Sequence, residues 1–241
     1  MIGLGTLINC AGIIAGGLIG LFASKLFNES QQDSLTKACG ISVIFIAFSG
    51  AMQGMLSVSD GNLTAGKSML VVVCLALGSF VGEKLGIENG FERFGEWLKV
   101  KSGNSVDPRF TSAFVDASLT VCIGAMAIVG SIQDGMGGDY STLAVKAVLD
   151  LIIIAVMSSS MGKGCVFSAV PVFLFEGSIT LLARVVSPVM TSLALSYLSL
   201  IGSVLIFCVG VNLVWGKKLK VANMLPAVVF AVIAAYLPFG F

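Results

Sequence analysis

The sequence predicts an all-α, polytopic transmembrane bundle of 7–8 helices with three internal two-helix repeats and an amphipathic interfacial helix. Three observations predict it. The chain is 56% hydrophobic and only 11% charged, against about 25% charged in ordinary soluble domains. Mean hydropathy is +1.00, more than a soluble core of 241 residues requires, so repeated spans of about 20 apolar residues account for it. A ladder of small residues spaced by four occurs twice within apolar segments, as Gly12, Gly16, Gly20 and as Gly78, Gly82, Gly86. Steps of four lie on one helix face, where missing side chains let a second helix approach closely.

The elements follow in order. A first span covers 3–24; with no basic n-region and no cleavage motif, it reads as a retained helix. A polar stretch, Asn28 to Lys37, leads to a second span at 39–58. A loop from Ser59 to Lys67, carrying Asp60 and Asn62, precedes a third span at 68–86. In 87–101, Ile87, Phe91, Phe94, Trp97 and Leu98 recur at helical spacing with acids and bases between them. That pattern is an amphipathic helix at the membrane surface. Further spans cover 112–133, 143–162, 165–185, 192–214 and 222–239. The stretch 165–185 contains Pro171 and Glu176, which makes it either a span or a re-entrant segment.

The whole chain, 1–241, forms a single membrane domain in this reading. Repeat 1 covers 3–58, repeat 2 covers 67–136, repeat 3 covers 143–214, and 222–239 closes the bundle. A shift of 80 residues maps Gly82 onto Gly162 and Gly130 onto Gly210, and Gly50-x-x-Gln53 matches Gly130-x-x-Gln133. Parallel repeats are a recurring transporter design. Such a seam makes the ladders contacts within the chain, so they do not themselves argue for a homodimer, which stays an expectation.

Lys and Arg in short loops set orientation. Lys25, Lys37, Arg93, Lys99, Lys101 and Arg109 fall on one side, which is then cytoplasmic, with the N-terminus outside in a bacterial inner membrane. Lys217, Lys218 and Lys220 join that side only if 165–185 crosses, giving eight helices. The repeat argument instead equates 165–185 with the amphipathic helix, giving seven. The lysine cluster favours eight.

Composition also excludes function classes. A net charge of +1 gives no electrostatic footprint for nucleic acid. With no histidine, six dispersed cysteines and no CxxC, the sequence offers no zinc-ligand pattern, nothing in the spacing favours a soft-metal path through Cys and the ten Met, and no histidine-based catalytic set can be built. No phosphate-binding glycine motif is present. The chain therefore reads as a non-enzyme without cofactor, whose partners are the lipid bilayer and a small ion or polar solute.

Ionisable groups within spans are costly and mark candidate sites. Asp150 lies deep in the fifth span, and Lys146 sits four residues earlier on the same face, able to pair with it. The pair is either a structural tie or a cation or proton site. Asp116 and Asp134 bracket the fourth span on opposite membrane faces. Glu83 and Lys163 share a repeat position and could pair as a gate, or serve as helix-end charges at the water boundary. Asn9, Gln53, Gln133 and Asn212 are carboxamides that could line a path or hydrogen-bond helices together. Glu176 beside Gly177 would face a cavity in a re-entrant segment.

Gly5-Thr6-Leu7-Ile8-Asn9, Gly78-Ser79-x-x-Gly82-Glu83 and the run Asp116-Ala117-Ser118-Leu119-x-x-Cys122-x-Gly124-Ala125-Met126-Ala127-Ile128-Val129-Gly130-Ser131-Ile132-Gln133-Asp134-Gly135 resemble a bacterial membrane family, domain of unknown function 554. Asn212-Leu213 and Asn223-Met224-Leu225-Pro226 fit it as well. The resemblance implies a polytopic inner-membrane protein of transporter type with no established substrate. It adds weight to Asn9, Glu83, Asp116, Gln133 and Asp134, which lie in the matched motifs. The function expected is a secondary transporter or channel for a small ion or polar solute; the alternative is a non-transporting scaffold or assembly factor.

Overall fold

Asn28 opens the second helix with a reciprocal cap: its side chain accepts from the Gln31 amide while the Gln31 side chain accepts from the Asn28 amide. The helix therefore starts a full turn or more before the apolar run, and the polar stretch 28–37 is helical rather than a linker. The computed structural model describes residues 2–26, 28–59, 62–123 and 125–237. Asp60 of the expected loop, Gly124 of the fourth-span motif and positions 238–239 of the last span lie outside them.

The helices, in order, are α1 (Leu4–Ser24), α2 (Glu29–Met55), α3 (Ser68–Leu85), α4 (Ile87–Lys101), α5 (Phe110–Cys122), α6 (Ala125–Gly137), α7 (Ser141–Met161), α8 (Ala169–Leu181), α9 (Ala183–Val186), α10 (Ser192–Trp215), α11 (Val221–Met224) and α12 (Pro226–Ala234). A 3₁₀ helix, Lys163–Ser168, leads into α8. The expected 59–67 loop is instead part of an antiparallel hairpin, β1 (Leu56–Ser59) with β2 (Asn62–Ala65), whose alternating Val, Leu and Thr residues suit strands.

Glycine contacts fix how helices run past one another. Gly12, Gly16 and Gly20 lie on the backbone of Ala147, Leu151 and Ala155, so α1 and α7 run parallel. Gly40, Gly50 and Gly54 meet Leu213, Ser203 and Leu200, so α2 and α10 are antiparallel. Gly78 and Gly82 meet Ala227 and Asn223, so α3 opposes α11 and α12. Gly86 does not belong to this seam. It takes φ +64° as the left-handed cap between α3 and α4, and a Cβ there would meet nothing nearer than Asn89 at 3.7 Å. Its role is to end a helix.

Across the described residues the chain thus runs between the two ends of the bundle eight times. Among the described residues, six helices are long and apolar enough to span, including Lys163–Leu181, and the α5–α6 pair makes a seventh candidate. The eighth pass, 221–234, is shorter. The first residues of α1, the hairpin and the end of α12 share one end of the bundle, here the hairpin end; α4 and Lys217 share the other, the α4 end. The segment 163–181 crosses between them, since Lys163 bonds Asn104 beside α4 while Thr180 lies 3.5 Å from Thr6. Pro171 permits this because it falls in the first turn of α8, where its missing N–H costs little.

α5 and α6 are bent by 63° relative to each other, so the expected continuous fourth span is broken. α4 is amphipathic as predicted, with Leu98 buried and Trp97 exposed. Phe110, Phe114, Ile154, Met157 and Leu205 fill the main core; Leu70, Tyr197, Leu200 and Ile201 fill a second. The outer faces carry Phe22, Phe45, Phe80 and Leu174, the surface that lipid would cover.

Candidate functional site

Four ionisable or carboxamide side chains from three helices converge inside the bundle. α1 brings Asn9, α7 brings Lys146 and Asp150, and α8 brings Glu176; all are buried. The α7 pair is placed by helix geometry alone, since residues four apart share a face. Asn9 is placed by the glycine seam, which draws α1 onto α7. Asp150 lies nine residues after Ser141, about 14 Å along the helix at 1.5 Å per residue, near the middle of the bundle.

The contacts are specific. Lys146 pairs with Asp150 and donates to the Val121 carbonyl at 2.8 Å. Its ammonium also lies 3.6 Å from Glu176 Oε1. Asn9 Nδ2 donates to the same Oε1 at 2.8 Å. Val121 is in the last turn of α5, where carbonyls lack helical partners and the helix dipole is negative. The break between α5 and α6 therefore exposes a backbone acceptor at the centre of the bundle, and Lys146 occupies it. Thr6 and Thr180 continue the polar contact between α1 and α8 toward the hairpin end. Among the described residues, four buried side-chain polar atoms have no hydrogen-bond partner, and two are Glu176 Oε2 and Asn9 Oδ1.

The other sequence candidates lie elsewhere. Asp134 is buried at the hairpin end, where its carboxylate accepts from the Gly3 and Gly5 amides at 3.2 and 2.9 Å and caps α1. Asp116 sits at the opposite end, half-buried in a cavity of about 380 Å³ lined in part by Asp33, Arg109, Asn212 and Lys217. Gln53 and Gln133 are exposed, and Gln133 accepts from Thr142. They form no ring with Asn212, whose Oδ1 accepts from the Lys218 and Leu219 amides at the α4 end, holding the turn after α10. Repeat register put these carboxamides at matching positions, but α10 runs the other way and the glutamine faces point outward. Glu83 does not pair with Lys163. Its partners are Lys220 at 2.7 Å and the Asn223 amide group, while Lys163 donates to Asn104; α3 and α11 pack directly and leave Lys163 on another element.

Sequence reasoning missed Thr6, Thr180, the Val121 carbonyl and Glu88. Glu88, one of the charged residues between the apolar positions of α4, is 4% exposed. It accepts from the Ala222 amide at 3.0 Å and pairs with Lys217 at 2.8 Å, while its own amide donates to Asn223 at 2.7 Å. Its position beside Gly86, at the first turn of α4, was the available signal. Burial works against the charge on Lys217, but Glu88 and Glu92 outweigh it and raise the ammonium above the ordinary lysine value. Glu83 likewise raises Lys220.

Among the described residues no three His, Cys, Asp or Glu side chains group as metal ligands. A further cavity of about 280 Å³ beside the break is apolar, bounded by Leu119, Cys122, Ile123 and Phe175 among others.

Apolar helices of spanning length enclosing a buried charge cluster define a polytopic membrane protein. The chain belongs to the family described as protein of unknown function (DUF554), whose profile matches residues 4–236. It is 28% identical over 237 residues to the uncharacterized membrane protein YdfK of Bacillus subtilis (strain 168), covering 98% of this chain and 97% of that one. It is 24% identical over 232 residues to the uncharacterized protein YqgA of Escherichia coli (strain K12), covering 95% and 94%. No solved structure matches the chain.

Proposed function

We propose that this protein is a secondary transporter or channel for a small ion or polar solute, with the Asn9–Lys146–Asp150–Glu176 cluster as its ionic element. One observation carries the reading: two carboxylates and one ammonium are buried together in membrane helices, against a helix break. Charges inside a membrane are expensive and are kept where ions or protons move. Broken helices whose free carbonyls meet a charge are a transporter device. α5 also connects the cluster to the polar cavity at the α4 end, since Val121 lies five residues, about 7.5 Å, beyond Asp116.

Orientation is part of the proposal. Of the 14 Lys and Arg residues, Lys67 and Arg184 alone lie at the hairpin end and Lys146 is buried; the rest are at the α4 end. The positive-inside rule makes the α4 end cytoplasmic and puts the N-terminus outside a bacterial inner membrane.

Liposome reconstitution tests the function. The full chain should pass at least one solute from a panel of inorganic cations and small organic acids, and Asp150→Asn should slow it at least tenfold. No flux for any solute would favour the scaffold reading.

A further inference from the structure

The cluster does not balance its own charge. Lys146 supplies one positive charge, and ionised Asp150 and Glu176 would supply two negative ones. The ammonium has three donors, and three acceptors already face it: Asp150, the Val121 carbonyl and Glu176 Oε1 at 3.6 Å. The two atoms left without a partner, Glu176 Oε2 and Asn9 Oδ1, belong to side chains already joined by the Asn9 Nδ2 to Glu176 Oε1 bond. Both are acceptors when Glu176 is ionised. Glu176 is 1% exposed and Asn9 is 0% exposed, so bulk water does not satisfy them.

Resting on the reading of this cluster as the ionic element of a transporter, we infer that Glu176 is the site of a single exchangeable proton, held on Oε2 beside Asn9. The proton comes from water, forms one O–H bond on Oε2 and returns to water on release; no electrons move. In the protonated state the carboxyl becomes a donor, the excess negative charge disappears, and Lys146–Asp150 remains as a neutral pair. Asn9 is suited to the site because a carboxamide donates through Nδ2 and accepts through Oδ1. A metal cation would need several oxygen ligands. Among the described residues the cluster offers two unpartnered oxygens, Glu176 Oε2 and Asn9 Oδ1, because the Thr6 and Thr180 hydroxyls, a turn away, face each other.

The elements packed against α8 bring the following polar and ionisable groups toward Glu176, while Arg184 of α9 is exposed at the hairpin end. α7 presents Lys146 and Asp150, α1 presents Asn9 and Cys10, and α5 presents Cys122. From α6 the ionisable residue is Asp134, which is turned to the first amides of α1. The 3₁₀ helix before α8 contributes Lys163, bonded to Asn104, and Cys165.

Infrared difference spectroscopy on the full chain in detergent tests the site without any transported solute. The sample is titrated from about pH 5 to about pH 9, a range spanning documented buried glutamates, in potassium chloride. A carboxylic C=O band that titrates, is lost in Glu176→Gln, shifts in Glu176→Asp and survives in Asp134→Asn is the expected result. Folded protein with no Glu176-dependent band overturns the inference. So does a band abolished at fixed pH by replacing potassium with sodium, which would make the site a sodium site. Liposome flux is read separately: a titrating Glu176 without flux sinks the transport reading and leaves the proton site standing.

Discussion

Gly16 rests against the backbone of Leu151, so closely that a Cβ built on it would run into the Leu151 carbonyl oxygen. Gly20 stands in the same relation to Ala155, and Gly12 meets Ala147 with its added Cβ 2.7 Å from the carbonyl oxygen. The parallel packing of α1 on α7 thus depends on three missing side chains, and the position of Asn9 beside Glu176 depends on that packing. Gly16→Ala must push the helices apart and should cost about 1–3 kcal/mol, the usual penalty of overpacking. Gly90→Ala, in α4 with nothing near the added methyl, should be neutral or stabilising by up to about 1 kcal/mol. Thermal unfolding of both variants in one detergent compares them.

This seam was legible in the sequence because it is a local pattern: spacing by four names a face whatever the partner. The amphipathic α4 and the Lys146–Asp150 pair were legible for the same reason. What the pattern could not supply was the partner. Asn9 and Glu176 are 167 positions apart, and no periodicity within α1 or α8 reports that they meet. Gln53 and Gln133 show the converse. Their glycine spacing matches along the sequence, but register gives the phase along a helix and not the direction its face takes in the bundle. The α5–α6 break was invisible because both halves are apolar, and hydropathy counts apolar residues without registering a change of axis. The burial of Glu88 was not legible because the first turn of α4 is buried by docking on α11, a contact between distant parts of the chain.

Asp134 holds the first turn of α1, and its loss should loosen that turn. Asp134→Ala removes acceptors for two amides and should destabilise by about 1–2 kcal/mol, within the range of caps and helix-terminal charges. Asp134→Asn keeps an acceptor oxygen and should lose less. Hydrogen exchange at residues 3–7 should rise most in the alanine variant, with α10 unaffected.

Lys217 ties α4 to the turn after α10 through Glu88 and Glu92. Its folded value lies above the ordinary 10.5. The contribution of this tie is therefore complete below that ordinary value and is lost only as pH rises through the folded value. Stability between neutral and mildly alkaline pH should not change through this group. Lys217→Gln should remove the tie at every pH and leave Glu88 buried without its cation. Amide exchange across 87–101 should then speed up by about tenfold, equivalent to about 1.4 kcal/mol. Unchanged exchange would show that the Ala222 amide alone holds Glu88.

The eight-pass reading predicts that the hairpin and the Lys217–Lys220 turn lie on opposite faces of the membrane. In an otherwise cysteine-free background, Ser57→Cys and Lys218→Cys should react from opposite sides with a membrane-impermeant thiol reagent on oriented vesicles. With the positive end inside, Ser57→Cys is labelled in intact cells and Lys218→Cys only after lysis. Labelling of both from one side would remove the crossing by 163–181.

The Lys146 ammonium serves two carboxylates at once, which makes its removal asymmetric with that of its partners. Lys146→Met leaves Asp150 and Glu176 facing each other without a cation and strands the Val121 carbonyl. Breaking a buried pair in this way typically costs about 3–5 kcal/mol, enough to deplete folded protein from the membrane. Asp150→Leu alone removes one negative charge and leaves Lys146 balanced by Glu176, so its cost should be smaller. The double variant Lys146→Met/Asp150→Leu restores the charge difference of the native cluster, and replacing a buried pair by apolar side chains is often near neutral. It should recover most of the stability lost in Lys146→Met. Monodispersity and melting of the three variants in one detergent provide the measurement. If the double variant is no more stable than Lys146→Met, the charge balance argued for the cluster does not govern its stability. Flux through the recovered double variant then tests the proposed transport role separately from stability: stability should return with the native charge difference, while the proposed role of the Lys146–Asp150 pair predicts that flux stays lost.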